Sequence, residues 1–149
     1  MLTITENLAK LFERDLDRLE TEISQYETDE KLWEARPGTS NSGGNLCLHL
    51  LGNLQHFFGT VLRKTPYKRN REAEFSSRDI PREELYEEIE KTKAVVGTTL
   101  RNMTQEELDQ PFPVEVFGHP MSTEEFVLHL LTHLSYHLGQ INFHRRIEA

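Results

Sequence analysis

The sequence predicts an all-α protein: a four-helix bundle with a long loop between its second and third helices and a short extended segment before its fourth. Three observations carry that expectation. Four stretches repeat apolar residues every three or four positions, the period of one helix face. The connections between them are polar and broken by Pro37-Gly38, Pro66, Pro111 and Pro113. No linker is long enough to divide the chain, and its 149 residues are the usual size of one domain, taken here as 1–149.

The first helix is expected over residues 5–26. Leu8, Leu11, Phe12, Leu16, Leu19 and Ile23 share a face, while charged residues fill the other. Residues 27–42 read as a loop, with Trp33 as a hydrophobic plug. The second helix spans about 44–63, with Ser42 as N-cap and Leu46, Leu50, Leu54, Phe57 and Val61 as its apolar stripe. His49, Asn53 and His56 flank that stripe as a polar line. Residues 64–80 form the long loop, and loops longer than about 12 residues tend to be functional. Pro81 opens the third helix, where its missing donor is not needed. Leu85, Ile89, Thr92, Val96 and Leu100 mark its inner face. Thr104 to Glu107 has the pattern of a capping box that starts a short extra turn. Val114 to Gly118 alternates like an extended piece. Ser122 to Glu125 is a second capping-box pattern, launching the last helix over about 123–147.

Composition excludes several function classes. No run approaches the roughly 20 apolar residues of a membrane span. The N-terminus lacks the basic and apolar regions of a secretory signal. The single Cys47 excludes an internal disulfide framework and fits a reducing cytoplasm. With 25 acidic against 17 basic residues the formal net charge is −8, which argues against nucleic acid as a partner. The one basic cluster, Arg63-Lys64 with Lys68-Arg69 and Arg71, reads as a solvated loop or as a local anchor for an anionic substrate.

The chemistry-bearing feature is His129, His133 and His137, three of the chain's seven histidines inside one helix. Phe126, Leu130, His133, His137 and Ile141 recur at three- and four-residue spacing, so His133 and His137 belong to the inward stripe. Two buried imidazoles on adjacent turns need partners. They are either core histidines bonded to backbone and side chains or ligands of a divalent ion, for which neutral imidazole is a common ligand. His49, at the edge of the second helix's core face, can supply a third ligand if the two helices are neighbours. Three histidines with open positions are the arrangement of a catalytic rather than a structural metal site. Each four-residue step rotates about 40° around the axis. His129 is therefore turned away, supporting the ligands from behind or lying at the surface. His56 reads as pocket lining or surface, His119 and His144 as solvated, Cys47 as a small core residue and Tyr136 as packing off the ligand face.

Competing sites are missing. There is no His-Glu-x-x-His of a zincin protease. Di-iron bundles need Glu-x-x-His pairs and further inward glutamates, but Glu125 precedes His129 by four and the second helix holds no Glu. Gly43-Gly44 is only a fragment of a phosphate loop.

The run Asn41-Ser42-Gly43-Gly44-Asn45-Leu46-Cys47-Leu48-His49, together with His129-Leu130-Leu131-Thr132-His133-Leu134-Ser135-Tyr136-His137-Leu138-Gly139-Gln140, resembles the DinB-like superfamily of bacterial four-helix bundles (YfiT-type). Val116 to Ser122 is also similar to it, and the segment from Thr65 to Phe75 suggests an uncharacterised branch. The resemblance covers nearly the whole chain. It implies a divalent metal, most often nickel or zinc, held by His49, His133 and His137. It further implies a bundle that forms a homodimer, with a small molecule as substrate. Some members of the superfamily are transferases or isomerases that depend on a low-molecular-weight thiol such as bacillithiol or mycothiol. By that resemblance the expected activity is thiol-dependent S-transfer. Asn53 would orient a ligand or simply bond between helices, and Arg69 and Arg71 would clamp a carboxylate of the thiol. The alternatives are a metal-dependent hydrolase and a non-catalytic stress-related binding protein with a vestigial metal site.

Overall fold

A computed structural model describes residues 1–147, and among these the regular structure is entirely helical. Helix α1 (Ile4–Ser24) begins at Thr3, whose hydroxyl and Glu6 form a reciprocal capping box. Leu8, Phe12, Leu16, Leu19 and Ile23 are buried along one stripe, as the spacing requires. The expected loop after it contains a single turn, α2 (Asp29–Leu32), capped by Thr28. That turn places Trp33 in the core as a plug. Gly43 and Gly44 are there for packing and not for phosphate. A Cβ on Gly44 would sit 2.6 Å from the Trp33 ring, and one on Gly43 2.1 Å from the Tyr26 hydroxyl.

Helix α3 (Gly43–Leu54) starts at the Ser42 cap and buries almost every residue, so it runs through the centre of the molecule. It continues as a π-helix, Gln55–Arg63, and stops at Lys64 with φ 60°. The expected single helix over 44–63 is thus two helix types. Apolar spacing does not distinguish them, because the stripe Leu54, Phe57, Val61 is buried either way. The expected loop 64–80 carries another correction, helix α4 (Arg71–Ser76), capped by Asn70. Helix α5 (Arg82–Arg101) follows Pro81 and buries Leu85, Ile89, Thr92, Val96 and Leu100. Thr104 caps α6 (Gln105–Asp109).

No strand forms over Val114 to Gly118, contrary to the expected extended piece. The pairing there is one antiparallel bridge, Pro111 to Ser122, and Val114, Val116 and Phe117 are exposed. Alternation without a neighbouring strand to satisfy the backbone does not make one. Ser122 then caps α7 (Thr123–Arg146).

The four long helical runs share one core. Helix α1 packs on α5 and α7, α3 packs on α7 and α5, and the π-helix packs on α5. Buried Arg36 donates to the His144 carbonyl near the end of α7, where unpaired carbonyls collect. No helix among the described residues is long and apolar enough to cross a membrane. The pairing of α3 with α7 brings His49 of one helix against His133 and His137 of the other.

Candidate metal centre

His49 lies midway along α3 and is only 6% exposed, so its ring nitrogens must be satisfied locally. Its Nδ1 lies 3.1 Å from Glu74 Oε1, on α4. A carboxylate only accepts, so Nδ1 carries the proton and the Nε2 lone pair faces away. Glu74 is equally buried, and Arg69 forks onto it, Nε donating to Oε2 at 2.9 Å and Nη2 to Oε1 at 3.0 Å. Burial alone would raise the Glu74 pKa. The hydrogen bonds from His49 and Arg69 and the guanidinium charge outweigh it and hold the group below the usual carboxylate value.

The backbone is shaped for this contact. A Cβ on Gly52 would lie 1.9 Å from Glu74 Oε2, so only glycine lets the carboxylate lie against α3. Asn45 donates from Nδ2 to the carbonyls of Glu74 and Ser77, at 3.0 and 2.9 Å, and pins α4 to α3. Phe75 lies against the His49 ring, with centroids 4.9 Å apart.

On α7, His133 and His137 sit one turn apart and are half-buried. His137 Nδ1 donates to Gln140 Oε1 at 2.7 Å, so its Nε2 also presents a lone pair. Both lone pairs meet the third imidazole. His133 Nε2 is 3.1 Å from His137 Nε2 and 3.3 Å from His49 Nε2. One proton on His133 can satisfy only one of them. An ion bound by nitrogens at about 2.0–2.1 Å in tetrahedral geometry separates them by about 3.3 Å. The donor set therefore fits a divalent metal, and the three histidines together could hold one.

Electrostatics keeps the α7 pair in the ligand form. Burial, followed by the charges of His137, His49, His129 and Arg69, pushes the His133 pKa down to about 4. Burial also lowers His137, partly opposed by its bond to Gln140. Neutral imidazole is the state that coordinates.

The other expected site residues fall around this cluster. His129 stands outside it, with its ring 6.1 Å from that of His133 and edge-on to Phe117 at 4.8 Å. Asn53 is buried next to the cluster in sequence, and its Oδ1 has no partner among the described residues. Arg69 reaches the site but is committed to Glu74, while Arg71 lies over the Phe75 ring at 5.5 Å. His56 is half-buried, with burial lowering its pKa, and His119 is exposed. Cys47 is a core residue, its thiol pushed up to about 12 by burial.

Two expectations are corrected. His144 is not solvated. It is 3% exposed, accepts from the Tyr26 hydroxyl at Nδ1 and donates to the Glu34 carbonyl from Nε2, both at 2.7 Å. It continues the stripe of Phe126, His133, His137 and Ile141. Tyr136 is 65% exposed and not part of the core, and its ring meets the His137 ring at 5.4 Å on the solvent side.

Glu74 is the residue that sequence reasoning missed. It is the one carboxylate among the described residues in hydrogen-bond contact with these histidines. Its only signal was a glycine inside an apolar helix, Gly52, and such a glycine marks a close approach without naming what approaches.

The chain belongs to the family described as protein of unknown function (DUF1572), whose family model matches residues 4–147. No curated protein and no solved structure matches it.

Proposed function

We propose that this member of the family is a DinB-like protein that binds a divalent cation, zinc or nickel, through His49, His133 and His137, and transfers a low-molecular-weight thiol to a small electrophile. The observation that carries the reading is the convergence of three Nε2 atoms, two of them on rings whose Nδ1 faces a side-chain oxygen acceptor. Bound there, a divalent ion would lower the pKa of a thiol or water sharing its site.

The protein's own residues do the rest. Glu74 and Gln140 set the tautomers and ring orientations of His49 and His137. Phe75 flanks His49 with an apolar ring, which excludes water from that side. The thiol is favoured over water as nucleophile by the absence of a free base. Glu74 is fully engaged by His49 and Arg69, and no other carboxylate among the described residues hydrogen-bonds to the cluster. A thiol, with a reference pKa of about 8.5, ionises with far less help than water.

Elemental analysis of native protein, followed by conjugation assays pairing a panel of thiols with a panel of electrophiles, tests the reading. The expected result is about one divalent ion per chain and thiol-dependent product formation. Metal-loaded protein that turns over no thiol would remove the transferase assignment and leave the metal site standing.

A further inference from the structure

The metal cluster has a neighbour on its α7 side. A cavity of about 480 Å³ opens beside His137, between the segment preceding α3 and the C-terminal half of α7. That volume lies within the range of small-molecule sites. Thr39, Ser40 and Asn41 form its polar wall, and Leu46 and the neutral His144 ring contribute to its lining. Tyr136 and Phe143 also line it. They are seven residues apart on α7, hence on one face two turns apart, and are 65% and 59% exposed. Two large rings left open along one wall are suited to cover a flat apolar group.

Among the described residues the lining contains no Asp, Glu, Lys or Arg. In a chain with 28% charged residues this is selective. The groove on the other side of the same helix, against α1, is lined by Lys10, Glu13, Arg14 and Asp17 among others. In the metal-free protein a ligand carboxylate or phosphate in the α7 cavity would find hydroxyls and amides but no Lys or Arg among the described residues of the wall. A charge moved out of water without a partner is strongly disfavoured.

The cavity is also wired to the cluster. Gln140 lines it, holds His137 Nδ1 at 2.7 Å through Oε1, and donates through Nε2 to the Tyr136 hydroxyl at 3.4 Å. A ligand that bonds to Gln140 therefore competes with, or reinforces, the contact that sets the His137 ring.

We infer that this cavity is the substrate pocket, and that it takes an uncharged molecule with a flat apolar group and a neutral hydrogen-bonding head such as an amide or hydroxyl. Its role as substrate pocket rests on the proposed metal site. The pocket's preference for neutral ligands does not, so the two can fail separately. On this reading the pocket receives the electrophile, and any charged portion of a thiol lies elsewhere.

The test uses the full chain, stripped of metal by a chelator and separately loaded with Co²⁺, titrated with cinnamamide and with its carboxylate counterpart cinnamate. Binding is followed by calorimetry, and the visible bands of the Co²⁺ form are read in parallel. Saturable binding of cinnamamide is expected in both forms, with cinnamate weaker by about tenfold or more in the metal-free form. Tyr136→Ala and Phe143→Ala, both at exposed positions, should each weaken cinnamamide by at least about fivefold. Leu128→Ala, exposed elsewhere on α7, should not change it. The Co²⁺ bands should shift on adding cinnamamide, and a Gln140→Leu variant should lose that shift. Equal or tighter binding of cinnamate by the metal-free form, or no saturable binding of cinnamamide, overturns the pocket. Cinnamamide binding by protein that takes up no Co²⁺ keeps the pocket's ligand preference and removes the metal reading. Binding without a band shift removes the link between them.

Discussion

Helices α3 and α7 prepare their histidines in different ways, and the difference shows how the site is built. His49 on α3 is braced from three directions, by the Glu74 carboxylate, the Arg69 fork behind it and the Phe75 ring. Its brace comes from α4, distant in sequence and seated through Asn45. On α7 the geometry is local. His133 and His137 are aligned by helical periodicity alone, and the support of His137 comes from Gln140, three residues on. His133 has no support of this kind, and its Nδ1 is buried without a partner among the described residues. One helix thus offers a ligand fixed in orientation and the other a pair fixed mainly in spacing.

The strongest way to break this picture is at His133, whose Nε2 is close to both other donors. His133→Ala should reduce metal content from about one ion per chain to near zero. His129→Ala should leave it unchanged, since His129 stands apart despite sharing the helix and the spacing. Elemental analysis of both purified variants decides it. Full metal retention by His133→Ala would mean that the ion sits elsewhere.

The α3 brace should have a smaller effect. Glu74→Gln keeps the shape but removes the charge that holds Arg69, and loss of such a partner typically lowers metal affinity by about 10- to 100-fold. Gly52→Ala makes the same point without altering a polar atom. Its Cβ would lie 1.9 Å from Glu74 Oε2 and displace the carboxylate. Alanine is the better helix former by about 1 kcal/mol, so without the clash this variant would melt higher. Weaker metal binding in a chelator competition is expected for both. If Gly52→Ala binds as tightly as the parent, the carboxylate is not what orients His49.

The same contrast explains what the sequence disclosed. Periodicity placed the stripes of α1, α3, α5 and α7, because burying one face requires them. It also picked out His133 and His137 as inward and turned His129 aside, since four residues of helix are a fixed rotation. His49 was reachable only on the assumption that α3 and α7 are neighbours, which the packing supplies. Glu74 was not reachable. It lies in a charge-rich stretch where one glutamate resembles another, and its burial depends on α4, a helix too short to show a period. The α-to-π change at Gln55 was hidden for a related reason, because both helix types bury the same apolar residues. His144 misled because a histidine followed by two arginines looks like a solvated helix end. Tyr26, Glu34 and Arg36 enclose it from a part of the chain more than a hundred residues away in sequence.

His144 sharpens the comparison within α7, as the histidine with both nitrogens satisfied by protein. Its neutral form accepts from Tyr26 at Nδ1 and donates to Glu34 at Nε2. Burial lowers its pKa, opposed by the bond to the Glu34 carbonyl and aided by the charge of Arg36. The unfolded chain protonates at the ordinary value of about 6.5 while the folded one does not. Stability from this group is therefore complete above about pH 6.5 and lost as the pH falls through the depressed folded value. His144→Gln removes that titration and keeps a polar side chain. In metal-free protein, His133 and His137 titrate in parent and variant alike, so their contribution cancels in the comparison. Thermal melts from pH 7.5 down to 5 should show the parent losing more of its midpoint temperature than the variant, a difference of a few degrees. Parallel curves would mean that the His144 proton is already lost or gained equally in both states, and that its two bonds hold α7 without regard to charge.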